Sequence, residues 1–437
     1  MTLLLINYIL IINILKIMLL LYILNLFITI KCVIKLHFKK KYNNIDNNID
    51  YYDYLCENDL ITEISIGNPI QKISVSIKYD SESFYITNFK GIFNYKNSKT
   101  FKSNFSEIDF SIINEGIKKG YIAKDNINLN FKKKSKIKEE ELLDIYFLYI
   151  NEFDSSIINL GSIGLCYKEY SKYKNLNLII QLKKRELINN YGFTFEFINN
   201  NEGDLYLGEY PHEYNNSYYD NLDFYYSRTS YSNMWFSTFT NVSYGNLITT
   251  SGNVFYLNPS LGGIKVNRYL KSFIDQSFFL NLIYKENKCK EINKKSYSYY
   301  ICDSDINITK FQNLSFYHHD MNYTFILTYQ DIFELINNKL YCKLLFPNEM
   351  TSTWHLGQPF LKKYKFTFDQ DKKRFGFYIK IKEQKNNIFN LTNILIFIFI
   401  ILIIILVYII FNYIKRKQRK IRANELEENI DYLPINS

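Results

Sequence analysis

The chain has 437 residues, with 53 Lys or Arg against 43 Asp or Glu and a formal net charge of +10. That length suffices for two medium lobes around sizeable cores. Much of the basic excess sits near the ends, in Lys39 to Lys41 and Lys415 to Arg422, which reads as membrane topology and argues against nucleic-acid binding.

Residues 3–30 are nearly all apolar, and residues 1–32 are expected to be a signal peptide, with MLLLYILNLFITIKC from Met18 as its hydrophobic region. No small-x-small cleavage pattern is present, so an uncleaved anchor is the alternative. Residues 33–54 follow as a short polar segment; KKKYNNIDNNIDYYDY at 39–54 is expected to be exposed and would suit a propeptide remnant. From 60 to 380 the chain consists of short alternating runs. EISIGNPIQKISVSI (63–77) predicts a strand, a Gly-Asn-Pro turn and a second strand with Ile73, Val75 and Ile77 inward. GDLYLGEY (203–210) predicts a strand and RYLKSFIDQSF (268–278) one of few helices. KKYKFTFDQDKKRFGFYIKI (362–381) predicts a hairpin about the polar turn Asp369 to Lys373. Short strands at regular spacing argue for an all-β body.

The apolar run NILIFIFIILIIILVYIIFNYI, residues 393–414, predicts a transmembrane helix, long enough for a hydrocarbon layer of ~30 Å. KRKQRK follows at Lys415, a flank that stays on the cytoplasmic side. Residues 415–437 are then a cytoplasmic tail, in which YLPI from Tyr432 fits a tyrosine-based sorting signal. The expected topology is single-pass type I, with the body in the secretory lumen or at the cell surface. Sequons at Asn104, Asn215, Asn241, Asn307, Asn313, Asn322 and Asn390 permit glycosylation there. Cysteines stand at 32, 56, 166, 289, 302 and 342, and some should pair in an oxidising compartment. His318 and His319 have no Cys or third His at ligand spacing, so they are expected to be exposed loop residues and no metal is expected. No Ser or Cys nucleophile has a His partner legible in the sequence.

Several motifs, taken in order, resemble the pepsin-like aspartic proteases over roughly residues 55–381. EISIGNPIQKISVSI is similar to the family's opening hairpin, GYIAKDNINL (120–129) to the segment after the flap, and INLG (158–161) to the apolar-apolar-Gly turn beneath the first active site. GDLYLGEY resembles the strand near the end of the first lobe. WHLGQPFLKKYKFTFDQDKKRFGF (354–377) matches the family's W-I-L-G-D-x-F-L pattern almost throughout. The resemblance implies an all-β, bilobal fold with few short helices. Its N-terminal lobe would cover 55–215 and its C-terminal lobe 216–383, with a long cleft between them. It also implies a disulfide between Cys302 and Cys342, for which Cys289 competes as a partner of Cys302; the pairing of Cys56 and Cys166 stays open. No cofactor is implied, and a monomer is expected.

In the family the first catalytic aspartate lies eleven residues after the turn glycine; counted from Gly67 that position is Lys78. The aromatic expected seven residues further on is Tyr85, so Lys78-Tyr79-Asp80 covers the Asp-Thr-Gly triplet and Asp80 stands at its glycine. Asp80 is catalytic only if the alignment slips by two residues, which keeps the inward face of a strand. The second aspartate falls on Asn258 in NPSLGGIKVNRYLKSF, and no Asp or Glu occurs from Phe224 to Ile274. The flap tyrosine falls on Ile113. Family catalysis needs two carboxylates sharing one proton, so that one acts as base and the other as acid. An amide at 258 exchanges no proton, and Lys78 supplies a cation, whose simplest role is to neutralise Asp80 or Glu82. The expectation is a proteolytically inactive pseudoprotease that keeps the interlobe cleft for a peptide or protein ligand. The alternatives are an active endopeptidase using Asp80 and a surface adhesion or structural protein.

Overall fold

The computed structural model describes residues 34–41, 50–56, 59–79, 81–87, 93–109, 117–129, 143–153, 161–166, 174–199, 201–214, 219–220, 224–228, 235–250, 253–349, 351, 353–378 and 407–422. Asp80, Ile113, the predicted signal segment 1–32 and residues 393–406 of the predicted span lie outside them. Residues up to Lys382 form one unit and Glu383–Ser437 a second, in which residues 407–422 are helical. No helix of the described residues is long and apolar enough to cross a membrane.

The first unit is built of short strands. In chain order they begin with β1 Ile34–Lys40, β2 Leu60–Ile66, β3 Gln71–Lys78, β4 Phe84–Thr87, β5 Lys102–Asp109, β6 Ile117–Asn128, β7 Leu143–Phe153, β8 Gly161–Gly164, β9 Gly192–Phe197, β10 Glu202–Leu207 and β11 Phe224–Arg228. They continue with β12 Phe236–Thr238, β13 Asn241–Tyr244, β14 Leu247–Thr249, β15 Val254–Leu257, β16 Ile264–Lys265, β17 Cys289–Asn293, β18 Tyr297–Asp303, β19 Leu314–His318 and β20 Tyr323–Leu327. The last are β21 Phe333–Ile336, β22 Lys339–Cys342, β23 Leu344–Pro347, β24 Thr353–Leu356, β25 Thr367–Asp369 and β26 Arg374–Tyr378. Helices are short, and the predicted one at 268–278 runs on through a π-turn to Tyr284.

One sheet of 13 strands, in the order β11-β26-β25-β9-β10-β1-β2-β3-β8-β4-β7-β6-β5, crosses the predicted lobe boundary, because β25 pairs with β9. Sheets of 9 and 4 strands make up the rest. β2 and β3 pair as predicted, Ile64 opposite Ile73, and Ile73, Val75 and Ile77 are buried.

The polar reading of 33–54 fails at both ends of the segment. Ile34, Leu36 and Phe38 alternate into the core, and β1 lies between β10 and β2 inside the main sheet. Burying such side chains stabilises by roughly 1.5–3 kcal/mol each. Tyr51, Tyr54 and Leu55 of the helical turn Tyr51–Cys56 pack on Leu261, Tyr299 and Leu345. The lysine and asparagine run between them hides both the strand's period of two and the aromatic face of the turn.

Candidate functional site

Two three-stranded frames carry the positions singled out in the sequence. In the first, β3 runs parallel to β8, with Ile77 opposite Ile163 and Lys78 opposite Gly164, and β4 runs antiparallel on the other side, with Phe84 opposite Ile163. In the second, β15 runs parallel to β24, with Leu257 opposite Leu356, and β16 runs antiparallel with Ile264 opposite Leu356. Ile77 and Phe84 flank one residue and are seven apart; Leu257 and Ile264 do the same. The frames therefore superpose without a gap, and Lys78 and Asn258 occupy equivalent places at the tips of the two parallel strands.

Each loop crosses over a glycine because nothing larger fits. A Cβ on Gly164 would lie 2.6 Å from the Ser81 carbonyl oxygen and from Ser83 N. On Gly357 it would overlap the carbonyl oxygens of Leu261 and Gly263. The glycine beneath the first loop is thus Gly164, three residues beyond the Gly161 that INLG suggested; Gly161 opens β8. Backbone N–H groups of Leu165 and Cys166 donate to Lys78 O and Ser81 O, both at 2.8 Å, and Gly164 N–H to Ser83 O at 3.0 Å. The buried Asn177 side chain directs its amide at the carbonyls of Glu82, Gly164 and Cys166, at 3.0, 3.2 and 3.0 Å. Its Oδ1 accepts from Ile180 N–H and caps the helix Leu178–Lys184. Asn177 escaped the sequence reading, although an asparagine just before the apolar run 178–180 is a helix-start signal. In the second loop Gln358 donates from its backbone to Leu261 O at 2.8 Å and from Nε2 to Pro259 O at 3.0 Å.

The polar heads at the two tips are engaged locally. Lys78 Nζ donates to Asp59 Oδ1 at 2.7 Å, with the two side chains 31% and 21% exposed. The partner predicted for this lysine was Asp80 or Glu82. Asp59 takes that place because Leu60 pairs with Ile77, and the antiparallel register sets the preceding carboxylate directly across from Lys78. Asn258 Oδ1 accepts from Ser260 N–H at 3.0 Å and braces its own turn, while its backbone N–H donates to Leu356 O.

The disulfide differs from the expected one. Cys289 pairs with Cys302, and Cys342 is a fully buried thiol whose pKa burial pushes up to about 12. The cause is register: Cys289 stands directly opposite Cys302 on β17 and β18, whereas the residue opposite Cys302 on β22 is Leu340.

His318 is likewise not an exposed loop residue. It is 2% exposed, and burial lowers its pKa to about 4. Its Nδ1 faces Met321 N–H at 3.4 Å and its Nε2 faces Ser237 Oγ at 3.0 Å. With Nδ1 accepting, Nε2 carries the proton and donates to the serine, the reverse of what a general base needs. The pair is a buried structural contact.

The family model for eukaryotic aspartyl proteases matches residues 59–378. The chain belongs to the eukaryotic aspartyl protease family. A comparison with curated proteins found no match. In this aspartyl protease homologue the matched region begins at Asp59, the partner of Lys78, and ends at Tyr378, the last residue of β26. It holds both three-stranded frames.

Proposed function

We propose that this aspartyl protease homologue binds a peptide or protein without hydrolysing it, and does so from a membrane. The observation that carries the reading is the equivalence of Lys78 and Asn258 in two superposable frames. Counted against the family motifs, these are the positions of the two aspartates. A water held there meets an ammonium bound to Asp59 and an amide bound to its own loop. Neither group withdraws a proton from water at ordinary pH. General acid–base catalysis is worth roughly 10²–10⁴-fold per group, and this reading removes both groups. A cation and an amide on a cleft floor suit a peptide carbonyl or a C-terminal carboxylate.

The anchor is the apolar run 393–414, followed by the basic flank 415–420, which sets the tail in the cytoplasm. The test uses the full chain in detergent with a denatured protein substrate between pH 3 and 6. The expected result is no statine-sensitive cleavage, together with saturable binding of peptides from that substrate that weakens in Lys78→Met. Cleavage blocked by a statine-type inhibitor and lost in Asp80→Asn would instead establish the endopeptidase.

A further inference from the structure

Strand β1 ends on Lys40, a lysine only 4% exposed. Its amine lies 5.4 Å from the centre of the Tyr54 ring and within hydrogen-bonding range of the Lys362 amine. Both lysines line a cavity of about 290 Å³ together with Lys343, Lys363, Glu334 and Gly262. Four lysines therefore line a space whose wall holds only two carboxylates, Asp331 and Glu334. Asp331 is bound to Lys363 at 2.7 Å and accepts from Thr328 N–H at 2.7 Å. Glu334 is 3.7 Å from Lys343. Among the described residues no carboxylate forms an ion pair with Lys40.

A buried ammonium beside another ammonium is costly unless something neutralises it. With nothing bound, burial first and Lys362 second hold Lys40 down to about 6, and burial first and Lys343 second hold Lys362 down to about 8. The alternative is an anion in the space these amines surround.

We propose that this cavity is a binding site for a small tetrahedral oxyanion of the phosphate or sulfate class. Lys40 and Lys362 hold it from β1 and from the helix Gln358–Lys363, and Lys343 adds charge from the wall. The ligand would clamp the N-terminal segment to the second loop. Gly263 N–H already donates to Leu55 O at 3.2 Å, and Gly262 approaches Tyr54 O so closely that a Cβ would overlap it. Those glycines follow Asn258 in the same loop, so occupancy would stiffen one tip of the candidate site. The inference does not depend on whether the cleft hydrolyses.

The test titrates the full chain in detergent with inorganic phosphate at pH 7, with chloride holding ionic strength constant. Unfolding temperature and calorimetric heat are followed in two buffers of different ionisation enthalpy. The proposal expects a saturable rise in unfolding temperature, with proton uptake on binding as Lys40 regains its charge. Sulfate should act alike and acetate at least tenfold more weakly. Lys40→Met should lose at least tenfold in affinity, and Lys40→Arg should keep most of it. If Lys40→Met does not fold, Lys362→Gln carries the same expectation. No saturable response in the wild type, or an undiminished response in the tested variant, overturns the site.

Discussion

At the scale of single residues, Lys78 and His318 show what burial and partners do to a side chain. The Lys78–Asp59 pair is partly screened, and such pairs are worth roughly 0.2–1 kcal/mol. Asp59→Asn should therefore cost about 1 kcal/mol or less in a urea titration, and a double-mutant cycle with Lys78→Met should return a coupling of that size. His318 has a larger pH signature. Its pKa falls from 6.5 in the unfolded chain to about 4, so its neutral form stabilises the fold fully above pH 6.5 and loses that contribution as pH falls through 4. His355, lowered by burial first and Lys265 second, also to about 4, acts in the same direction. Each contributes at most roughly 3 kcal/mol across that window. Unfolding temperature should drop between pH 6.5 and 4, and the drop should shrink in His318→Gln. A flat profile would contradict the buried neutral imidazole. The sequence could not show this burial, because a His-His pair at a strand end looks the same whether it faces water or core.

At the scale of elements, alternation in the sequence located β2 and β3, which have a more exposed side and a core side, while β10 and the closing hairpin, buried almost throughout, were legible from their apolar runs and polar turns. It missed β1, whose three buried apolar residues run into a lysine cluster. Gly164 was misplaced by three residues because two glycines fall close together in LGSIG and only packing distinguishes them. Gly164→Ala should prevent folding or cost several kcal/mol in denaturant titration, because its Cβ meets backbone atoms that cannot turn away. The disulfide was legible only as a set of candidates, since register and not chain spacing chooses the partner. Non-reducing peptide mapping should recover Cys289 linked to Cys302, and Cys342 should take up a thiol label only after unfolding. A Cys302–Cys342 peptide would contradict the register.

At the scale of the whole molecule, the family was legible because its motifs follow one another in order along the chain, three of them reaching the two frames through β3, β8 and β24. The strand tips were legible because the spacing from turn glycine to tip survives without a gap. What the sequence could not supply was the partner of each polar head, which the pairing of β2 with β3 sets for Lys78 and the turn conformation sets for Asn258. The lysine-lined cavity joins β1, the second loop and the helix Gln358–Lys363, which no local pattern would bring together.

The central claim concerns proton transfer at the two tips, and it is tested most directly by incubating the full chain with a denatured protein across pH 3 to 6 and sequencing any products. The account predicts that the substrate stays intact with and without a statine-type inhibitor. New termini that vanish with that inhibitor and in Asp80→Asn would contradict it.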